Sequence, residues 1–380
     1  MQLRLTVAAR GTIFTFAVWA LAILVASWWS DERAGRSYGG DFVTFYAAGA
    51  MAKVDADGVY DRTALSKVES RVSPGAPSAP FHYPPPLLAA LRVLAKLPYF
   101  AALVVWTAAS AVAFLAVTRL AGADTATSLA LALPALAVNA IAGQAAGLVA
   151  FLALGSASLL TKHPLAAGVL AGGLAFKPHF VLVVGPLLVL RDRQRGLMGA
   201  AGALGMQSLA ATLILGGSVW WAFATDLDDA GRFLTESAVW ERMPSVAAAL
   251  LLAGCPTWVA LTGQGLASLF AVISALRVWN HTTSSPRRIS ATAAATLLAA
   301  PYAYIYDFVL LGVPLGLLWR EERSLPIRTL LILCSLAGVV SPLVAYWTDV
   351  IQIGWAFPLL VLWLSSRGSG TRGEATSAPS

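Results

Sequence analysis

The sequence is poor in charge and in cysteine, and both scarcities restrict what the protein can be. Of its 380 residues, 12% are charged and 58% are hydrophobic, whereas a soluble domain has about 25% charged residues. The two cysteines, Cys255 and Cys334, lie in apolar segments, so neither a disulfide nor a metal site is indicated. The composition therefore argues against a soluble protein and favours an integral membrane protein.

Several sequence motifs of common enzyme classes are also missing. The chain contains no glycine-rich phosphate loop, no His and Cys residues at metal-ligand spacing, and no serine nucleophile elbow. No run of acidic residues in the middle of an apolar segment indicates a proton relay. We therefore expect no metal, no cofactor and no nucleic-acid partner.

Long apolar runs recur along the chain, and they predict its fold class. In lipid the backbone must satisfy its own hydrogen bonds, so such runs predict helices. We expect an all-α polytopic membrane protein of the lipid bilayer, with a single domain over residues 1–364 and a disordered cytoplasmic tail over residues 365–380. The runs predict about twelve spans, at residues 11–29, 98–118, 125–141, 144–160, 164–176, 178–190, 197–217, 257–278, 289–301, 305–319, 328–346 and 350–364.

The distribution of charge predicts the orientation of these spans. Arg and Lys concentrate in the loops on one side, whereas most Asp and Glu residues fall on the other. The positive-inside rule then places both termini in the cytoplasm. Two outer loops, at residues 30–84 and 218–244, are longer than about 15 residues, a length typical of functional loops. The first should contain amphipathic helices, one of them with Phe42, Phe45 and Tyr46 at helical spacing.

Asp41 is the first candidate for chemistry. It follows Gly39 and Gly40 and opens a predicted helix on the outer side. Asp is a preferred N-cap residue, which is the simpler interpretation. The alternative is a general base that deprotonates an acceptor hydroxyl at the membrane surface. The two interpretations are compatible, and the sequence leaves both open.

Lys177 and His179 form the second candidate group. They flank Pro178, which should begin a helix whose N-terminus faces outward. A helix N-terminus attracts anions, so a cation on each side of it suggests a phosphate site. The alternative is a lysine that extends from a helix end toward the membrane surface, which is common.

Other polar residues on the outer side are candidates for lining a substrate cavity. Tyrosines at this depth are often interfacial anchors, and an acid near the membrane boundary such as Asp307 is costly unless it is paired or hydrated. Aromatic and charged residues of the second outer loop could bind a sugar or anchor the loop. The candidates are Tyr46, His82, Tyr83, Gln144, Trp240, Arg242, Tyr302 and Asp307.

Taken in order, several motifs resemble glycosyltransferase family 87, the polyprenyl-phosphate-sugar-dependent membrane transferases of the GT-C fold. The resemblance covers most of residues 38–320 and rests on Asp41-Phe-Val-Thr-Phe-Tyr-Ala-Ala-Gly49 with Val59-Tyr60-Asp61, Phe81-His-Tyr-Pro-Pro-Pro86 through Leu97-Pro98 to Trp106, Ala142-Gly-Gln144, Ala167-Gly168 through Phe176-Lys-Pro178, and Pro301-Tyr302 through Tyr306-Asp307.

The resemblance implies roles for individual residues. It makes Asp41 the general base, places Lys177 near the donor phosphate, and makes Tyr83, Gly143 and Gln144 cavity-lining. Some branches of the family have a histidine in the outer turn after the late proline. This chain has Tyr302, Tyr306 and Asp307 there instead, which leaves the acceptor open.

The implied activity is transfer of a hexose or pentose, most simply mannose-like, from a polyprenyl-phosphate sugar to a hydroxyl of a lipid or glycan acceptor. It would occur on the non-cytoplasmic face of a bacterial inner membrane. One alternative is a non-catalytic carrier or flippase for a lipid-linked sugar, because interrupted spans also occur in transporters. A structural membrane protein without a substrate is another.

Overall fold

The computed structural model describes residues 38–75, 78–236 and 239–367, and every regular element in these residues is a helix. The predicted all-α class is therefore confirmed for this part of the chain. The predicted first span at residues 11–29 and residues 368–380 of the predicted tail lie outside the described residues.

From residue 38 onward, three short helices precede the first long one. Phe42 and Phe45 in the first of them are buried and contact the ring of Trp106, so this helix belongs to the core rather than to an amphipathic surface. Asp61 caps the second helix by accepting hydrogen bonds from the N–H groups of Thr63 and Ala64. The three are α1 (Phe42–Met51), α2 (Arg62–Val72) and α3 (Pro85–Leu94), with a 3-10 turn at Asp57–Tyr60.

The middle of the chain contains the longest of the described elements, Val181–Leu215. The N–H and hydroxyl of Thr127 both donate to Asp124 at the start of one helix. Asp192 has non-helical backbone angles and divides the longest element into two segments, as expected from the separate predicted spans at 178–190 and 197–217. The elements are α4 (Tyr99–Leu120), α5 (Thr125–Ala142), α6 (Ala146–Leu159), α7 (Pro164–Gly173) and α8 (Val181–Leu215), with 3-10 turns at Leu174–Phe176 and Pro178–Phe180.

The C-terminal part begins with a helix that fills most of the predicted second outer loop at 218–244. The remaining helices alternate with short turns, two of which are 3-10 turns at Trp240–Arg242 and Ile305–Phe308. The helices are α9 (Val219–Glu236), α10 (Val246–Leu252), α11 (Thr257–His281), α12 (Ser285–Ala299), α13 (Val309–Glu321), α14 (Leu325–Ser335), α15 (Ala337–Thr348) and α16 (Ala356–Ser366).

Within the described residues, four segments are long and apolar enough to cross a membrane: α4, α5, Pro178–Leu215 and α11. The pair α14 and α15, bent by 68°, would make a fifth. Other predicted spans are helices that are too short. The 14 residues of α6 extend about 21 Å, less than the roughly 30 Å of a bilayer core. The described residues support four or five spanning helices. The predicted total of about twelve spans is not confirmed.

Helix α12 lies at the centre of the bundle. Every residue from Ile289 to Ala299 is buried, and many are alanines that allow neighbouring helices to approach closely. The indole N–H of Trp279 in α11 donates to the Thr292 hydroxyl at 3.0 Å. Because α12 is tightly packed, it fixes the position of the turn at residues 300–308 that follows it. This turn contributes to the site described next.

Candidate active site

Two glycine-containing turns pack against each other and bring Asp41 beside Gln144. Gly40 and Gly143 both have positive φ, at 43° and 64°, which favours glycine. A Cβ on Gly143 would lie 2.2 Å from the carbonyl oxygen of Gly39, so any larger residue would force the turns apart. The contact is completed by the N–H of Asp41, which donates to the carbonyl of Ala142 at 2.9 Å.

The carboxylate of Asp41 does not cap α1, although the residue occupies the N-cap position. Its Oδ2 instead accepts a hydrogen bond from Nε2 of Gln144 at 2.9 Å. Gln144 is 3% exposed, and its turn is fixed by the Trp106 indole, which donates to the Gly143 carbonyl at 3.0 Å. The Asp41 side chain is therefore held by Gln144 and does not cap the helix.

The electrostatic environment of Asp41 is unusual for a solvent-accessible carboxylate. Burial raises the pKa of Asp41 above its ordinary value of 3.8, whereas the hydrogen bond from Gln144 and the positive charges of Lys177 and Arg242 oppose that increase. The residue itself remains exposed. An accessible carboxylate that surrounding protein nevertheless desolvates is in an environment typical of general bases, and we call the surroundings of Asp41 the recess.

Lys177 lies close enough to this recess for its charge to act on Asp41. Its ammonium group donates to Oδ1 of Asp307 at 3.1 Å, and the two side chains are 5% and 0% exposed. Oδ2 of Asp307 accepts a hydrogen bond from the N–H of Tyr304 at 2.9 Å. The sequence marked Lys177 and Asp307 as separate candidates, and the structure joins them as a buried ion pair.

Aromatic side chains form walls around this pair. The ring of Tyr306 lies 4.9 Å from the Lys177 ammonium and stacks on the ring of Tyr304 at 5.3 Å. Burial and the nearby charge of Asp41 raise the pKa of Tyr83. Tyr83 therefore stays protonated at neutral pH and retains a hydroxyl donor next to the carboxylate.

Arg242 supplies a second cation at the mouth of the recess. It lies in the 3-10 turn Trp240–Arg242, whose backbone is held by Gln352: the amide of Gln352 donates to the carbonyl of Glu241 at 2.7 Å. The Arg242 side chain is exposed and forms no hydrogen bond or ion pair with any residue that the structure describes. Its charge nevertheless acts on both Asp41 and Tyr304.

Four of the predicted site residues form hydrogen bonds away from Asp41. The Tyr46 hydroxyl donates to the carbonyl of Leu97 at 2.9 Å, and the Trp240 indole donates to that of Leu234 at 2.8 Å. The Tyr302 hydroxyl donates to the carbonyl of Ala230 in α9 at 3.1 Å. His82 Nδ1 lies 2.7 Å from Oδ2 of Asp226, also in α9.

His179, the remaining predicted residue, lies beside Lys177 and contacts the rings of Phe180 and Tyr302 at 4.4 and 6.1 Å. Its Nε2 is buried and has no hydrogen-bond partner among the described residues. Sequence reasoning did not name Tyr304, Trp106 or Gln352 as site residues. Tyr304 belongs to the Tyr-rich motif before Asp307, and Trp106 ends one of the motifs of the resemblance. Gln352 had no signal, because it is more than a hundred residues from the turn that it supports.

A model of glycosyltransferase family 87 matches residues 81–301 of the chain, which is more than half of its length. The matched range includes Tyr83, Gln144, Lys177 and Arg242, whereas Asp41 and Asp307 lie outside it. No curated protein and no solved structure matches the chain.

Proposed function

This chain belongs to glycosyltransferase family 87, and from that premise we propose that it transfers a hexose or pentose from a polyprenyl-phosphate sugar to an acceptor hydroxyl. The family and the apolar helices together make the protein a membrane glycosyltransferase. The lipid-linked donor, the mannose-like sugar and the lipid or glycan acceptor belong to the proposal, as does the non-cytoplasmic face of a bacterial inner membrane. The main support for the proposed transfer is the accessible Asp41 carboxylate, which shares one recess with Lys177.

Asp41 is the proposed catalytic base. In this step its carboxylate takes the proton of the acceptor hydroxyl, and the oxygen attacks the anomeric carbon of the donor sugar. The bond between the anomeric carbon and the phosphate oxygen breaks, and its electron pair leaves with the polyprenyl phosphate. The raised pKa of Asp41 supports this role, because a stronger base accepts the proton more readily.

Lys177 and Arg242 are the proposed donor-phosphate ligands. The leaving polyprenyl phosphate gains negative charge as the bond breaks, so preorganised cations stabilise the transition state more than the ground state. Lys177 is buried and fixed by Asp307, whereas Arg242 is exposed and has no anion partner among the described residues. A phosphate that reaches the recess would therefore meet one positioned and one available cation.

Asp307 is proposed to position Lys177 rather than to react. Its two carboxylate oxygens are engaged by the Lys177 ammonium and by the N–H of Tyr304, and the side chain is fully buried. An ammonium group with a single carboxylate partner retains N–H donors for a phosphate oxygen. The partner also reduces the cost of keeping Lys177 charged in an apolar environment.

A carrier or flippase for a lipid-linked sugar remains the alternative, since the helical run is interrupted at Lys177 and Pro178. Transporters place such breaks near the middle of the membrane. Here the polar groups lie in turns between helix ends, and they include a carboxylate with a raised pKa. These features favour surface chemistry over transport.

The test uses the purified full-length chain in liposomes, with polyprenyl-phosphate mannose, glucose, galactose and arabinose as donors and extracted membrane lipids and glycans as acceptors. Asp41→Asn should reduce glycoside formation by about 10²–10⁴-fold. Asp228→Asn is the matched control, because Asp228 is exposed on α9 and has no partner among the described residues. Undiminished transfer by folded Asp41→Asn would remove Asp41 from the mechanism. Movement of donor across the bilayer without glycoside formation would favour the carrier.

A further inference from the structure

A groove of about 720 Å³ lies between α11 and α16, at the helix ends opposite the recess of Asp41. Its volume is within the range of about 300–1,000 Å³ that is typical of small-molecule sites. Most of its lining is apolar, including Phe270 from α11 and Leu359, Leu360 and Trp363 from α16. Phe270 and Trp363 are more than 45% exposed, so this apolar surface is open to the surrounding lipid.

The polar part of the groove is confined to one end and is basic. Arg277 and His281, in the last turns of α11, line that end together with Ser366 at the C-terminus of α16. No acidic side chain is among the residues that form the groove. An occupant that matches this distribution has an apolar body and a negatively charged head.

Arg277 differs from the neighbouring arginines in having no partner. Arg191 and Arg288 donate to the carbonyl of Trp279, and Arg287 forms an ion pair with Glu321 at 3.2 Å. Neither Arg277 nor His281 forms a hydrogen bond or an ion pair with any residue that the structure describes, and both are exposed. Their donors are therefore available for a ligand, whereas each of these neighbours has at least one partner within the fold.

The dimensions of the groove fit a lipid of a single leaflet. From Phe270 to His281 the α11 backbone rises about 16 Å, which is close to half of the roughly 30 Å bilayer core. The basic end coincides with the end of two helices, where the headgroup region of that leaflet begins. The apolar lining then runs toward the middle of the bilayer, along the direction of an acyl chain.

We propose that this groove binds one anionic phospholipid of the surrounding leaflet. One acyl chain lies along Phe270, Leu360 and Trp363, and the phosphate accepts hydrogen bonds from Arg277, His281 and the hydroxyl of Ser366. This site is separate from the recess around Asp41, and it does not depend on the sugar, the donor or the reaction proposed there.

The first test is native mass spectrometry of the purified full-length chain with phosphatidylglycerol and with phosphatidylcholine of the same chain length. Phosphatidylglycerol should bind preferentially, and Arg277→Gln should weaken its binding about fivefold, as expected for one basic residue near a lipid phosphate. Arg195→Gln is the matched control, because Arg195 is exposed but does not line the groove. Equal binding of the two lipids, or equal effects of the two substitutions, would overturn the proposal.

The second test needs no variant. Phosphatidylglycerol with a photoreactive diazirine in one acyl chain is added to the wild-type chain in nanodiscs, and the labelled peptides are mapped. Labelling should concentrate in residues 257–281 and 356–366, and an excess of unlabelled phosphatidylglycerol, but not phosphatidylcholine, should reduce it. Absence of label from both helices would mean that a protein segment covers the groove, and the lipid site would be ruled out.

Discussion

At the scale of single residues, Asp41 illustrates how far the sequence could be interpreted. Its position after two glycines suggested either a helix cap or a catalytic base, and sequence spacing does not distinguish them. The structure excludes the side-chain cap, because the carboxylate accepts from Gln144, 103 residues away, rather than from the N–H groups of α1; the catalytic base stays a prediction. Excluding the cap depends on a long-range contact, which no local pattern encodes.

The pH dependence of activity should report the ionisation of Asp41. A general base must be ionised, so the rate falls as pH decreases through its pKa. Burial raises the pKa of Asp41 above 3.8, and the acid limb of kcat/KM should lie above that value. Gln144→Met removes a hydrogen bond that lowers the pKa, so the limb should move to higher pH. A variant with lower kcat/KM but an unshifted limb would contradict this role for Gln144.

Substitution of Gly143 tests whether sugar transfer needs the contact between the two glycine-containing turns. Gly143→Ala should reduce transfer about tenfold or more, because its Cβ would meet the carbonyl of Gly39 at 2.2 Å and displace Asp41. Gly122→Ala is the matched control: Gly122 has a similar φ of 69°, but a Cβ there meets nothing within 4 Å. Both variants have the backbone strain of a left-handed residue, of about 1–2 kcal/mol. Equal losses of transfer in both would show that strain alone, and not Asp41 placement, is responsible.

At the scale of structural elements, the Lys177–Asp307 pair joins two 3-10 turns that lie far apart in the chain. Each residue stood out in the sequence as a polar group next to a proline-containing break, and the cost of an unpaired acid in the membrane suggested that Asp307 needs a partner. The identity of that partner followed only from packing: α12 is buried on all sides and holds the turn of Asp307 beside the turn of Lys177.

A double-mutant cycle should measure this link between elements. Lys177→Met and Asp307→Asn should each reduce the free energy of unfolding by about 3–5 kcal/mol, because each leaves a buried charge or polar group without its partner. The double variant should lose less than the sum of the two. Chemical unfolding of the purified chain in detergent gives all three values. Strictly additive losses would mean that the two side chains do not interact.

Helix length is the property that the sequence predicted least well. Apolar runs located the helices from α4 to α8 and from α11 to α16; the runs at 98–118, 125–141 and 257–278, for example, correspond to α4, α5 and α11. They did not locate α9 and α10. Hydropathy did not distinguish spanning helices from shorter buried ones such as α6, which is packed in the bundle with most of its residues buried. Both kinds are apolar on all sides, so composition alone overestimates the number of spans.

At the scale of the whole molecule, the chain is a helical membrane protein. The polar residues of the candidate site lie at one end of its bundle, and the apolar groove with its basic end lies at the other. The family could be predicted from the order of several loose motifs, and the match over residues 81–301 confirms it. Asp41, Lys177 and Asp307 could each be chosen from the sequence, whereas the pairing of Lys177 with Asp307 and the support that Gln352 gives to the turn of Arg242 arise only through the fold.

The central claim is that Asp41 performs the proton transfer, whereas Lys177 and Arg242 bind the donor phosphate. The most direct measurement compares donor binding with single-turnover sugar transfer for Asp41→Asn, Lys177→Met and Arg242→Gln, using a polyprenyl-phosphate sugar that the wild-type chain accepts. Asp41→Asn should bind the donor as tightly as the wild type and fail to transfer, whereas the two cation variants should lose donor affinity. Parallel loss of binding and transfer in Asp41→Asn, or full donor affinity in both cation variants, would contradict the account.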